Sequence, residues 1–363
     1  MRSTEALGEA RREFVVCNAC RYCEGFCAVF PAMELRREFS DGDLGYLANL
    51  CHNCRGCFYA CQYAPPHEFA INLPRALARL RAETYEAYAW PQALARLFHR
   101  NGLVASAVTA ISLALVLLLT MALHRPESLF AVRTEPGAFY AVIPAWAMLA
   151  VAGATFAFSL LALAVGAVRF WRESGGEGAW RPRVLLAALG DVLTLRNLGG
   201  GGGGCNDVDD RFSQARRRFH HATFYGFLLC FASTGTAAIY EHVLGELSPY
   251  PLLSPPVLLG ALGGIGLVVG TAGLAWLKWA ADPEPAAREQ AGAEAALLAL
   301  LLMTAATGLL LLGLRGTPAM GVLLAVHLGF VLALFLLMPY SRFVHGLYRA
   351  AALLRHARER QSA

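Results

Sequence analysis

The chain has 363 residues, 56% of them hydrophobic and only 16% charged, with a formal net charge of +5. A soluble chain carries roughly a quarter charged residues, so a simple water-soluble globule is excluded. The charge balance is too modest to ask for a nucleic-acid partner. Charge is also unevenly spread: residues 1–98 read as a soluble domain rich in Arg and Glu, and from Leu103 onward long uncharged stretches alternate with short charged ones.

The N-terminus, "MRSTEALGEARREF", has no apolar core of a signal peptide, so nothing there directs the first domain out of the cell. Two cysteine runs follow, "CNACRYCEGFC" at 17–27 and "CHNCRGCFYAC" at 51–61. Each reads C-x2-C-x2-C-x3-C, the spacing of bacterial two-cluster ferredoxins, where the fourth Cys serves the other cluster. Two [4Fe–4S] clusters are therefore expected, one on Cys17, Cys20, Cys23 and Cys61, the other on Cys51, Cys54, Cys57 and Cys27. Zinc is the alternative, though zinc knuckles usually supply paired thiolates. The proline that usually follows the fourth Cys is replaced by Ala28 and Gln62. The intervening residues read as helix and turn, which favours a helical ferredoxin-like module.

Six uncharged runs come next, at about 103–123, 138–168, 220–241, 256–278, 295–314 and 319–340. At 1.5 Å per residue each crosses a hydrocarbon core of roughly 30 Å. The expected architecture is all-α: a 2x[4Fe–4S] domain over 1–98, a six-helix transmembrane domain over 99–345, and a basic tail over 346–363. Pro144 near the start of the second run is a candidate kink. Cys230, mid-membrane in the third, reads as a small packing residue.

The loop 169–218 carries "GGGGGGCNDVDDRFSQARRRFHH". Six consecutive glycines, Gly199 to Gly204, do not match a dinucleotide-binding pattern. They read either as a flexible linker or as bare N–H groups lining a docking or quinone-head pocket with Cys205, Asp207, Asp209 and Asp210. Nine arginines lie in this loop, Arg169 to Arg218, and five follow the sixth run, against Arg125, Arg133 and Arg315 on the opposite side. The positive-inside rule then puts both termini and the cysteine domain on the cytoplasmic side of the inner membrane. In a reducing cytoplasm, eight clustered thiols bind metal in preference to forming disulfides.

Histidines inside a bilayer need a reason, and haem b supplies one by taking an imidazole from each of two facing helices. His327 and His345 are eighteen residues apart, which is five turns and one face of a continuous helix. His221 and His242 nearly share a face too. Antiparallel packing of the third and sixth helices would set His221 level with His345 and His242 near His327, room for one haem or two stacked. His220 is a further candidate; His99, His124 and His356 lie outside this arrangement.

Together, the ferredoxin module, "GGGGGGCNDVDDRFSQARRRFHHATFYGF" and "MPYSRFVHGLYR" resemble the tricarballylate-utilisation protein B family, also called citrate-utilisation protein B, over essentially the whole chain. "MPYSRFVHG" also looks like the last helix of nitrate reductase cytochrome b subunits, whose two haem ligands match His327 and His345. The first resemblance implies electron transfer from the FADH2 of a separate tricarballylate dehydrogenase, through the clusters and haem b, to membrane quinone. No flavin fingerprint is present, so that dehydrogenase is expected to be another polypeptide, docking on Arg36, Arg37, Arg55, Arg75, Arg79 and Arg81. Alternatives are an electron-transfer partner for a flavoprotein monooxygenase of aerobic cobalamin synthesis, or a membrane redox sensor, which needs no haem. A reductase of the heterodisulfide type would need a further cysteine-rich motif, and only Cys205 and Cys230 remain.

Overall fold

The computed structural model describes residues 4–123, 126–175 and 181–362; His124 lies outside them. In chain order the α-helices are α1 (Glu5–Cys20), α2 (Val29–Glu34), α3 (Asp41–Leu50), α4 (Gly56–Tyr59), α5 (Leu73–Tyr88), α6 (Asn101–Leu123), α7 (Ala145–Glu173), α8 (Pro182–Leu193), α9 (Ala215–His242), α10 (Pro255–Ala280), α11 (Ala291–Leu314), α12 (Met320–Leu337) and α13 (Val344–Ser362). Among the described residues there is no strand, only an isolated bridge between Cys205 and Ser213. Six helices are long and apolar enough to span a membrane, at 101–123, 145–173, 215–242, 255–280, 288–314 and 320–340. An all-α fold with six membrane-length helices is what the sequence leads one to expect.

Local signals set the helix boundaries. Thr4 caps α1 by accepting from Leu7 N–H. Ser40 and Asp43 close a capping box on α3, and Asn72 caps α5 with Pro74 in its first turn. Such caps stabilise by about 1 kcal/mol each. Pro144 does not kink the second span but starts it, as the cap of α7. The span also runs on to Glu173, and the loop after it is shortened by α8.

Two departures reshape the region around the cysteines. The sixth span does not continue as one helix to His345. It ends in a tight turn over Met338–Tyr340 and an extended Ser341 before α13 begins, because Pro339 cannot supply the helical N–H. His327 and His345 therefore do not share a helix face. Residues expected to be a tail form α13, which enters the core of the N-terminal domain. Tyr348, Ala352 and Leu353 are buried there beside Phe14, Leu44, Tyr46, Leu47 and Leu50, with Phe170 from the end of α7. The Tyr348 ring lies 5.7 Å from Tyr85, 5.9 Å from Tyr88 and 5.4 Å from Phe170. Burying a side chain of that size stabilises by roughly 1.5–3 kcal/mol, so a change here affects domain and bundle together.

A four-charge network locks α13 in place. Asp43 accepts from Arg36 and Arg355, both at 2.7 Å, and Glu359 accepts from the same two arginines at 2.5 and 2.9 Å. Both guanidinium groups lie over the Tyr46 ring, at 5.1 and 4.2 Å from its centroid. Burial alone would raise the Asp43 carboxyl. Hydrogen bonds from Ser40, Arg36 and Arg355 overcome it and hold the group at about 2.

Within the bundle, α12 is enclosed by α6, α7 and α11, whereas α9 packs chiefly on α10. Small residues make the α9–α10 seam close. A Cβ on Gly226 would fall 2.7 Å from Leu267 N, and one on Gly263 2.7 Å from Cys230 N. Cys230 thus sits in a helix contact, as a small packing residue should.

Candidate metal centres

The first thiol set surrounds a space. Cys17, Cys20, Cys23 and Cys61 line one cavity of about 30 Å³ together with Cys57, Tyr22, Gln62 and Tyr63. Among the described residues, no three His, Cys, Asp or Glu side chains converge tightly enough to hold a single metal ion. Zinc would draw four thiolates to about 4 Å from one another, since each Zn–S bond is about 2.3 Å. Thiols arranged around a cavity suit a larger cube. Burial comes first in pushing the Cys17 thiol far above its ordinary range, followed by the negative charges of Glu13, Cys61, Cys23 and Cys20. Burial and the thiolates of Cys61 and Cys20 push Cys23 to about 12. Burial and mutual repulsion thus favour the neutral thiols here, and a bound cation would reverse that.

The second set is deeper. Cys51 and Cys54 are buried, and Cys27 and Cys57 both feel the charges of Cys51 and Cys54. Burial raises Cys27 and Cys54, while N–H groups of Val29 and Phe30 at the start of α2 oppose this at Cys27, as Gly56 N–H does at Cys54. Asn53 N–H donates to Cys51 Sγ at 3.3 Å. These knuckles need left-handed backbone at Arg21, Asn53 and Arg55, with φ of 55°, 55° and 67°. Holding non-glycine residues there costs on the order of 1–3 kcal/mol each and turns amides toward the sulfurs.

The glycine run is a cover for these knuckles and is well placed, not a free linker. A Cβ on Gly200 would approach Cys54 Sγ to 3.9 Å, and one on Gly201 would fall 2.7 Å from Gly25 O. Gly204, at φ +121°, leaves only 2.4 Å between such a Cβ and Ser213 O. No other residue permits that approach. Downstream, Asn206 N–H donates to Cys54 O at 2.8 Å, Arg55 to Asp207 O at 3.0 Å, and Arg216 to Asn53 O at 2.6 Å. Cys205, fully buried, donates its thiol to Leu198 O at 3.0 Å.

One histidine pair is brought together. The rings of His220 and His345 have centroids 6.1 Å apart and planes 75° to each other. Two imidazoles bound on opposite faces of one metal, with metal–N bonds of about 2 Å, have centroids roughly 6 Å apart, so this spacing fits a haem iron. His345 Nδ1 donates to Arg342 O at 2.5 Å, which leaves Nε2 as the free lone pair. Burial, then the charge of Arg349, holds the His345 imidazole neutral. His220 Nδ1 is buried with no partner.

His221, the expected partner of His345, faces away and bonds Thr194 O at 3.0 Å. Successive helical residues point about 100° apart, so only one of the two can face α13. His327 Nδ1 lies 3.2 Å from Thr307 Oγ1 on α11, and its ring lies against Gly308. His242 is exposed at the other end of α9. Because α9 packs on α10, the expected pairing of His242 with His327 has no geometric support.

Two residues near the thiols take places that the sequence did not give them. His52, next to Cys51, bonds Leu50 O at 2.8 Å and is held neutral by burial, then by the charge of Arg349. Arg349, one turn beyond His345, donates to Cys51 O at 2.7 Å. Their role follows from where α13 docks, which no spacing announces. Several of the arginines expected to form a docking face are committed internally. Arg36 belongs to the Asp43 network, Arg55 and Arg81 are buried on backbone carbonyls, and Arg75 bonds Glu284 O; Arg79, paired with Glu289, and Arg37 stay exposed.

Six apolar spans joined to a cysteine-rich helical domain define a multi-pass membrane protein with a ferredoxin-type module. A family model described as Citrate utilization protein B matches residues 100–363, and one described as the Citrate utilization protein B Fer4-like domain matches residues 10–87. The chain is 49% identical over 364 residues to Citrate utilization protein B of Escherichia coli, covering 99% of this chain and 94% of that protein. It belongs to the citrate utilization protein B family. No solved structure matches.

Proposed function

We propose that the chain is the membrane electron-transfer subunit of a two-protein system. It would take electrons from the reduced flavin of an FAD-dependent dehydrogenase and deliver them to membrane quinone. In this reading Cys17, Cys20, Cys23 and Cys61 hold one [4Fe–4S] cluster, Cys51, Cys54, Cys57 and Cys27 the other, and His220 with His345 a haem b. When bound, these groups supply one-electron carriers, so a two-electron flavin hydroquinone can be emptied in two steps.

The chain's own residues do the rest. N–H groups of Val29, Phe30 and Gly56 hold negative charge at the sulfurs. The glycine cover excludes water from Cys54. Arg81 and Arg349 fix the Cys51 carbonyl, at 2.6 and 2.7 Å. The single observation carrying the proposal is continuity. Cys57 lines the first cavity while belonging to the second set, and Arg349 ties Cys51 to the turn of α13 that bears His345, faced by His220.

The arginine asymmetry supports a cytoplasmic cysteine domain in an inner membrane. Exposed Tyr22 lines the mouth of the first cavity, with Val15 exposed close by in sequence, the apolar rim a docking flavoprotein would cover. The relative's name points to a citrate-like tricarboxylate upstream, with tricarballylate the candidate on resemblance. Spectroscopy of anaerobically purified, detergent-solubilised protein tests this. Eight irons and acid-labile sulfides beyond the haem, with a low-spin haem b spectrum after dithionite, are expected. Protein containing iron but no haem would leave only the cluster half of the proposal standing.

A further inference from the structure

A cavity of about 1210 Å³ lies where the N-terminal domain meets the starts of α6 and α11. Three side chains on its wall are at least nine-tenths buried: Tyr85 at 2%, Asn101 at 4% and Arg342 at 9% exposure. Each carries an unsatisfied polar atom. Asn101 donates through Nδ2 to Tyr340 O at 2.6 Å, but its Oδ1 has no partner. Arg342 spends a terminal nitrogen on Glu294, and its Nε has none. The Tyr85 hydroxyl lies beside Arg342 and its hydrogen bonding favours the Arg342 charge, so these two serve each other in poor geometry. A buried group left unpaired costs roughly 1–3 kcal/mol, so Asn101 Oδ1, with the poorly paired Arg342 and Tyr85 in the same wall, marks a place for a ligand.

The lining says which ligand. Leu103, 67% exposed at the start of the first span, and Gly102 line the cavity together with Glu83 and Glu289, so its wall is part apolar and part charged. The occupant is therefore a lipid-soluble molecule with a polar head. Its head must accept from Arg342 Nε or Tyr85 and, in another state, donate to Asn101 Oδ1. A quinone carbonyl accepts; a hydroquinone hydroxyl also donates. The carbonyl of Arg342 receives the His345 Nδ1–H, so the wall is one hydrogen bond from the candidate haem ligand.

We propose that this cavity is the quinone-head site, a proposal that rests on the electron-transfer reading above. One quinone takes two electrons, singly, from the partner's reduced flavin through the carriers, and two protons from water. Both of its carbonyls become hydroxyls. A second large cavity, about 940 Å³ beside Tyr250 and Arg315, lies at the opposite end of the bundle from His345 and cannot serve this donor.

The test uses full-length solubilised protein, reduced with dithionite, freed of excess reductant and mixed with decylubiquinone in a stopped-flow instrument. Wild type should be reoxidised, and Asn101→Leu and Arg342→Met should each be reoxidised at least tenfold more slowly with iron and haem contents unchanged. If one variant loses its cofactors, the other carries the comparison. Wild-type reoxidation matched by both variants would overturn the site while leaving quinone as acceptor. A reduced wild type that decylubiquinone cannot reoxidise would overturn the electron-transfer reading itself. Photolabelling with an azidoquinone in liposomes should mark the segment 98–103; label on 247–252 instead would also overturn the site.

Discussion

The two thiol sets share one sequence pattern and sit in opposite surroundings. The first opens outward beside exposed Tyr22, with the buried carboxyl of Glu13 close enough to act on Cys17. The second is roofed by the glycine run and ringed by arginines: Arg216 on the knuckle carbonyl of Asn53, Arg55 reaching from the knuckle to Asp207 O, and Arg81 and Arg349 on the Cys51 carbonyl. Identical spacing therefore does not mean identical electrostatics. Positive surroundings stabilise a reduced, more negative cluster, so in the proposed route the inner site would accept from the outer one and pass electrons toward His220 and His345.

The largest effect that could break this comparison is at Gly204. Gly204→Val places a branched side chain against Ser213 O in a backbone region valine does not adopt. About half of the cluster iron should be lost, from the inner set, while Cys20→Ala should remove the outer half. Equal loss of both sets in Gly204→Val, by iron analysis and EPR, would mean that the roof is not specific to Cys54. Next comes the potential difference. An EPR-monitored titration should place the inner site higher, on the order of 50–100 mV, and Arg349→Met should shrink the gap.

A smaller effect concerns how the inner site is reached. Asp43→Asn should weaken the docking of α13 by about 2 kcal/mol and lower Tm by several degrees in a thermal melt. The pH dependence has the same origin. Asp43 is held at about 2 in the fold, below its ordinary 3.8. Its contribution is thus complete above pH 4 and is lost as pH falls toward 2, a decline Asp43→Asn should not show. The smallest effect is at the outer rim: Tyr22→Ala should change stability by under about 0.5 kcal/mol and leave iron and haem contents as they are.

Much of this was legible in the chain. Charge-free runs announced six spans, and C-x2-C-x2-C-x3-C twice over announced a cysteine-rich helical domain, because both signals are local. What could not be read depends on contacts between distant segments. The eighteen-residue spacing of His327 and His345 reads as one helix although Pro339 stands between them, and the burial of α13 in the N-terminal core rests on Asp43 and Tyr46, some three hundred residues away. The glycines suggested freedom because flexibility is their usual meaning; here they are required by close approach to Cys54 and Gly25. The choice of His220 over His221 turns on about 100° of helix rotation, fixed by the α9–α10 seam. Arginines 36, 55 and 81 looked available to a partner and are spent inside.

The most direct measurement is the visible spectrum of dithionite-reduced His220→Ala beside His221→Ala. Loss of the low-spin haem b bands from the first and their retention in the second is the predicted result. Bands kept in His220→Ala and lost in His221→Ala would contradict the pairing with His345 and the electron route drawn through it.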